Sequence, residues 1–109
     1  MTNPFISLIQ SSPAPLLADG AMGTMLHTRG APFDQCFDEL NLTDPQVVAG
    51  IHREYVAAGA QLILTNTFGA NRFKLAKHGL EKKVAELNRA GVELARQVAT
   101  QAQAVTDRK

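Results

Sequence analysis

Short apolar runs alternate with longer amphipathic segments along the chain, and each apolar run ends at polar residues followed by glycine. Leu16-Leu17-Ala18 and Leu62-Ile63-Leu64 are such runs, without the polar alternation of a half-exposed strand. Runs of this kind are typical of strands buried on both faces. Between them, apolar residues at helical spacing begin at the start signal Asp44-Pro45 and end at Gly59. The pattern predicts a strand, a helix over residues 45–58 and a second strand, paired in parallel through a right-handed connection.

Further helical segments complete the pattern. They are a leader helix near residues 5–9, short helices over 22–28 and 71–78, and a long amphipathic helix over 81–104, while residues 33–42 are predicted to be irregular. In the long helix, Gly91 falls on the buried face, which costs about 1 kcal/mol of helix propensity and is tolerable where close packing requires it. We expect one α/β domain, with the leader over residues 1–14 and two β/α units over residues 15–109.

The end of the first predicted strand carries a chemical signal. Asp19 is followed by Gly20 and Gly23, which let the backbone turn sharply and leave amide N–H groups uncovered. A carboxylate beside free N–H groups favours a ligand with both charges, such as an amino acid. A phosphate loop is disfavoured because Asp19 would repel the anion and the Gly-Lys-Ser/Thr ending is missing. The remaining alternative is that Asp19 caps the helix beginning near Met22 and the glycines only form a turn.

The second predicted strand also runs out into polar residues, at Thr65-Asn66-Thr67-Phe68. The carboxyl ends of parallel strands meet at one rim, and this rim is where ligands bind in parallel α/β folds. We therefore expect Asp19 and the residues that follow the second strand to lie close together.

Composition narrows the classes of function. The 109 residues are 45% hydrophobic and 19% charged, and a net charge of +1 without a basic cluster argues against nucleic acid or an acidic membrane surface as partner. No stretch approaches the roughly 20 apolar residues of a membrane span, and residues 1–12 lack the basic start and long apolar core of a signal peptide. A single cysteine, Cys36, excludes a disulfide within the chain and a multi-cysteine metal site, and points to the cytoplasm.

Three motifs of the chain resemble the homocysteine S-methyltransferase family. They are Leu17-Ala18-Asp19-Gly20-Ala21-Met22-Gly23-Thr24, Glu39-Leu40-Asn41-Leu42 and Thr65-Asn66-Thr67-Phe68-Gly69-Ala70-Asn71. The resemblance is greatest to the amino-terminal domain of bacterial proteins that join a homocysteine methyltransferase to a methylenetetrahydrofolate reductase. The first domain of cobalamin-dependent methionine synthase is similar. The first and last motifs at this separation, with the Asp44-Pro45 helix between them, are highly specific, and the resemblance covers nearly all of the chain after about residue 14.

The resemblance implies a (β/α)₈ barrel of typically about 250 residues, of which this chain would supply the first two β/α units. In the family, zinc held by cysteines of later strands lowers the pKa of the homocysteine thiol, so that the thiolate attacks a methyl donor and methionine forms. Those ligands are missing here, so we expect no catalytic or metal-binding residue in this chain, inactivity of the chain alone, and a structural role for Cys36. The donor candidates are methyltetrahydrofolate, cobalamin and S-methylmethionine.

The resemblance also implies a substrate-binding set. Asp19 would bind the amino group of homocysteine, and the amides of Gly20 and Ala21 would bind its carboxylate. The rim would be lined by the residues after the second strand, Asn66, Thr67 and Phe68, for which packing at the strand end is the alternative role. The three histidines, His27, His52 and His78, are expected to pack or face solvent, with His52 on the outer ring of helices, away from the rim.

Two other functions stay open. One is a non-catalytic small α/β domain, derived from the same fold, that binds an amino acid or acts by association. The other is an unrelated barrel fragment that binds phosphate. Two parallel strands leave both sheet edges unpaired, so we expect self-association or loose packing unless the remainder of the barrel, or a complementary chain, covers them.

Overall fold

The computed structural model of the chain describes the backbone of residues 4–107 and the side chains of residues 5–102. The helices are α1 (Pro4–Ser11), α2 (Gly23–Thr28), α3 (Leu40–Thr43), α4 (Pro45–Ala57), α5 (Arg72–Ala76) and α6 (Val84–Asp107), with 3-10 turns at Phe37–Glu39 and Glu81–Lys83. Residues 1–3 of the predicted leader and the last two residues of the predicted domain lie outside the described part. No helix among the described residues is long and apolar enough to cross a membrane.

The two predicted strands lie side by side, but they do not form regular strands in the described chain. One parallel bridge joins Ala18 to Leu62, and the Asp19 N–H donates to the Leu62 carbonyl at 2.9 Å. The ladder stops there because its outer side chains have nothing to pack against: Leu17 is 55% and Leu64 73% exposed. Parallel ladders need both faces covered, so the predicted β/α units are reduced to two extended segments in parallel contact.

The helices follow their local sequence signals closely. Helix α4 begins at Pro45 and ends at Ala57, and Gly59 follows with φ of +111°, as expected for a glycine that ends a helix. Asp44 occupies the position before α4, but its side chain makes no capping hydrogen bond. Asn71 does cap α5, because its side chain accepts from the Lys74 N–H at 2.9 Å. Residues 33–42, predicted to be irregular, contain a 3-10 turn and the start of α3.

The core is divided between two clusters of buried side chains. The first joins α2, α3 and α4 through Leu26, Leu40, Val48 and Ile51. The second joins α5 and α6 to the loop before α3 through Cys36, Ala70, Leu75 and Leu87. Helix α6 also contacts α4 and α3, so it lies across both clusters. Packing of this kind holds the loops after the two extended segments on one side of the chain.

Candidate functional site

A cleft of about 590 Å³ lies where the loops after the two extended segments approach each other. Its lining combines apolar, acidic and basic side chains, and three stretches of the chain contribute most of it. They are residues 19–23 after the first segment, residues 33 and 35–38 before α3, and residues 64–66 and 68–69 after the second segment, with Lys74 and His78 beside them. The expected meeting of Asp19 with the second loop is therefore found in the structure.

Asp19 links the two loops through its carboxylate. Its Oδ2 accepts a hydrogen bond from the Leu64 N–H at 3.1 Å. Its Oδ1 is buried and has no hydrogen-bond partner in the described chain. The side chain is thus held in the cleft wall by a backbone donor of the second segment, and it accepts no cap bond from α2. The capping alternative for Asp19 does not match this geometry.

The glycine turn after Asp19 is fixed by a tyrosine of α4. The Tyr55 hydroxyl donates to the Ala21 carbonyl at 2.7 Å, and a Cβ at Gly20 would lie 2.9 Å from the same hydroxyl oxygen. A side chain at position 20 would therefore displace the Tyr55 phenol. The N–H groups of Gly20 and Ala21 donate to no acceptor within the described chain, and both residues line the cleft. These are two free donors on the same wall as Asp19.

Asn66 is part of an amide network behind the second loop. It is buried, and its side-chain N–H groups donate to the Phe37 carbonyl at 2.9 Å and to Asn41 Oδ1 at 3.0 Å. Asn41 in turn donates to the Asn66 carbonyl at 2.8 Å and to the Leu87 carbonyl at 3.2 Å. The network joins the second loop to α3 and α6. Asn66 lines the cleft, but its donors are engaged within the protein.

Thr67 and Phe68 differ in their relation to the cleft. Among the described side chains, Thr65 and not Thr67 lines the cleft, and the two threonine hydroxyls share a hydrogen bond of 2.6 Å. Phe68 lies on the cleft rim and is 90% exposed. The Lys74 ammonium lies 4.1 Å from the centre of its ring, a cation–π contact. The binding roles of Asn66, Thr67 and Phe68 stay predictions.

Asp38 is a cleft residue that sequence reasoning missed. It is buried, and its Oδ2 accepts from the Gly69 N–H at 3.1 Å. Burial raises the pKa of this carboxyl, against the lowering effects of the Gly69 hydrogen bond and the Lys74 charge. Burial likewise raises the pKa of the neighbouring Cys36 thiol. Asp38 lies in the stretch predicted to be irregular, where no local pattern marks a bond to a residue 31 positions later.

The histidines lie in different surroundings. His27 stacks on Phe33 with ring centres 3.7 Å apart, and His78 lines the cleft. His52 is completely buried, and neither ring nitrogen has a hydrogen-bond partner in the described chain. Burial lowers the pKa of His52, and the opposing effect comes from the charge of Asp19. His52 is not among the residues that line the cleft, and its expected location away from the rim stays a prediction.

The described side chains contain no group of three or more His, Cys, Asp or Glu residues that could hold a metal ion. A catalytic zinc site needs three protein ligands. Zinc therefore does not fit the residues present in this part of the chain.

Comparison with known proteins identifies clear relatives. A sequence model of the family described as homocysteine S-methyltransferase matches residues 16–108. The methionine synthases of Mycobacterium leprae and Mycobacterium tuberculosis are 40% and 38% identical to the chain over 90 residues, which cover 77% of this chain and 8% of each relative. The crystal structure of the metallated homocysteine methyltransferase MmuM from Escherichia coli matches 94% of this chain, with 30% identity and a TM-score of 0.79. The chain covers 36% of that structure.

Proposed function

Because the chain belongs to the homocysteine S-methyltransferase family, we propose that its cleft is the homocysteine-binding part of an enzyme that methylates the homocysteine thiol to give methionine. The proposal rests on one observation: Asp19 and the free N–H groups of Gly20 and Ala21 lie on the same cleft wall. An α-amino acid presents an ammonium and a carboxylate on adjacent carbons, so one carboxylate beside two amide donors matches both of its charges.

The proposed roles follow from this geometry. The Asp19 carboxylate, anchored at Oδ2 by the Leu64 N–H, accepts a hydrogen bond from the substrate ammonium. Gly20 and Ala21 donate to the substrate carboxylate. Phe68 and the second loop cover the bound amino acid from the rim, and the buried amides of Asn66 and Asn41 hold that loop against α6. We assign substrate binding to this chain and no bond-making step.

We propose that the described residues are the opening part of a (β/α)₈ barrel. Support comes from the parallel bridge between Ala18 and Leu62 and from the coverage of 36% of a homocysteine methyltransferase structure. The exposed side chains of Leu17 and Leu64 flank this bridge, where further strands of the barrel would pack. Zinc and the methyl donor would then be held by residues outside the described part. A cytoplasmic location also stays a prediction.

Titration of homocysteine into the uniformly ¹⁵N-labelled chain tests the proposal. We expect the amide signals of residues 19–21 to shift. Two analogues separate the charges: 4-mercaptobutanoic acid lacks the ammonium, and homocysteine methyl ester lacks the carboxylate. Each should bind more weakly than homocysteine. Equal shifts with all three compounds, or none at these residues, would overturn the assignment.

A charge-specific variant sharpens the test. Asp19→Asn keeps an oxygen to accept from the Leu64 N–H but removes the negative charge. Since hydrogen bonds to charged groups contribute about 1.5–3 kcal/mol, homocysteine affinity should fall by about tenfold or more. Asp34→Asn removes the same charge from an exposed residue outside the cleft lining, and it should leave the affinity unchanged. An unchanged affinity in Asp19→Asn would contradict the role of Asp19.

An association function is the second candidate, and it is favoured by the apolar rim of the cleft. Phe33, Leu64 and Phe68 all line the cleft and are largely exposed, a pattern typical of surfaces that bind another protein chain. This reading predicts concentration-dependent sedimentation without any response to homocysteine, which distinguishes it from the proposed substrate site.

A further inference from the structure

Positive charge is concentrated in α5 and the residues that follow it. Residues 72–83 contain five of the eleven Lys and Arg residues of the chain and one of its ten Asp and Glu residues. This segment therefore has a net charge of +4, whereas the rest of the chain has a net charge of −3. The expectation that the chain has no basic cluster is thus wrong for this segment.

The cations of this segment lie on one exposed surface. Helix α5 contacts the 3-10 turn Glu81–Lys83, and the basic residues of the segment are all exposed. They are Arg72, Lys74, Lys77, Lys82 and Lys83, and we call them the basic patch. Among the described side chains none of them forms an ion pair, because the ion pair found there joins Arg29 to Glu54. The charges of the basic patch are therefore available to a partner.

Two exposed phenylalanines lie against the basic patch. Phe68 is 90% and Phe73 is 73% exposed. The Lys74 ammonium lies 4.1 Å from the centre of the Phe68 ring, and the Arg72 guanidinium carbon lies 4.8 Å from the centre of the Phe73 ring. Aromatic and arginine side chains are enriched in protein–protein interfaces. Exposed rings among unpaired cations are therefore typical of a surface that binds another chain.

The charge and the ring contacts favour an acidic protein segment as the partner. Carboxylate side chains complement unpaired Lys and Arg side chains. Single-stranded nucleic acid stacks its bases on aromatic faces, but a cation covers one face of each phenylalanine here. A helix that binds a membrane surface buries a long apolar face, and α5 has only 5 residues.

We propose that the basic patch, together with Phe68 and Phe73, docks an acidic segment of another protein chain. Carboxylates of that segment pair with the cations of the patch, and its apolar side chains pack on the two exposed rings. Lys74 also lines the cleft, so the docked segment lies beside the cleft mouth. The docking surface does not depend on homocysteine binding.

Titration of a peptide into the uniformly ¹⁵N-labelled chain tests the docking surface. The probe is a flexible peptide of glutamate, glycine and leucine, and the comparison peptide has glutamine in place of every glutamate. We expect only the glutamate peptide to shift the amide signals of residues 68–83. Its affinity should fall as salt is raised from about 0.05 to 0.5 M, because salt screens exposed charges. Equal binding of the two peptides, or no shifts in residues 68–83, would overturn the proposal.

Two double variants with the same net charge locate the binding. Lys74→Gln with Lys77→Gln removes two cations of the patch and should weaken peptide binding by about threefold to tenfold. Arg89→Gln with Arg96→Gln removes two exposed cations of α6, outside the patch, and should leave the affinity unchanged. Phe73→Ser should also weaken binding, because it removes an apolar contact without changing the charge. Equal losses in the two double variants would show a response to overall charge alone and would overturn the proposal.

Other occupants of the surface would give different results. Tighter binding of an oligouridine, or of phosphatidylserine vesicles, than of the glutamate peptide would overturn the assignment to a protein partner. A second copy of the chain as occupant would appear in sedimentation as self-association that the variant Lys74→Gln with Lys77→Gln abolishes. Such self-association without peptide binding would also overturn the proposal.

Discussion

Gly91 of α6 provides a quantitative test of how the second loop is held. A Cβ at this position would lie 2.8 Å from Asn41 Nδ2 and 2.8 Å from Thr67 Cγ2. Both distances are shorter than van der Waals contact, so Gly91→Ala must displace the Asn41 amide or the loop carrying Thr67. Asn41 donates to the Asn66 carbonyl at 2.8 Å, and this hydrogen bond is the one most directly disturbed.

The magnitude follows from opposing effects. Alanine is better than glycine in a helix interior by about 1 kcal/mol. Against this gain, overpacking of a filled site costs about 1–3 kcal/mol, and an unpaired buried amide and carbonyl cost about 1–3 kcal/mol. We therefore expect Gly91→Ala to lower the free energy of unfolding by about 3 kcal/mol. At about 4–8 °C per kcal/mol for a domain of about 100 residues, Tm should fall by more than about 10 °C.

Gly50→Ala in α4 is the matched control. A Cβ at Gly50 would meet only the Arg29 guanidinium, at 3.3 Å, which is the end of a flexible side chain that can move. Thermal and urea unfolding followed by circular dichroism at 222 nm should show the Gly50 variant as stable as the wild-type chain or more so. Limited proteolysis within residues 64–71 should accelerate only in the Gly91 variant. Equal stability of the two variants would refute the close packing of α6 on the second loop.

Other predictions concern pH, thiol reactivity and assembly. Burial lowers the pKa of His52 from 6.5, so just below that pH this residue takes up a proton in the unfolded chain but not in the folded chain. The free energy of unfolding should therefore decline as the pH falls below about 6.5. His52→Asn should remove this decline in urea titrations. Because burial raises the pKa of the Cys36 thiol, alkylation by iodoacetamide near pH 7 should be slower in the folded chain than in urea. The chain alone should neither hold zinc tightly nor transfer methyl groups, and it should self-associate. One tightly bound zinc per chain, or a monomer at every concentration in sedimentation, would contradict this.

The helices were predictable because their signals are local. The start at Asp44-Pro45 and the stop at Gly59 bracket α4, which is observed over Pro45–Ala57. The strands were predicted as regular but are not regular in the described chain, because a parallel ladder depends on neighbours distant in the sequence. The segments around Leu17 and Leu64 have the composition of buried strands, yet these two side chains are largely exposed, and one bridge joins the segments.

The candidate site also combines features that the sequence predicts with features that it does not. The place of Asp19 in the cleft could be inferred from a carboxylate, a glycine turn and the end of an apolar run. The contribution of Tyr55 could not be inferred from the sequence, because its contact with Ala21 spans 34 positions. The burial of Asp38 and His52 likewise depends on how α3 and α4 pack against the loops. Motif resemblance marked Asn41 and Asn66 without indicating that they bond to each other.

Hydrogen bonds between loops hold the cleft together where a sheet is hardly formed. Asp19 binds the Leu64 N–H, Asp38 binds the Gly69 N–H, and Asn66 donates to the Phe37 carbonyl. The two carboxylates accept from backbone donors, and such charged bonds are about twice as strong as neutral ones. The carboxylate of Asp19 thus holds the two loops together in addition to its proposed role in substrate binding. Asp19→Asn retains an acceptor for the Leu64 N–H and loses the charge, whereas Asp19→Ala loses both. The difference in homocysteine affinity between the two variants therefore separates the effect of loop geometry from recognition of the ammonium.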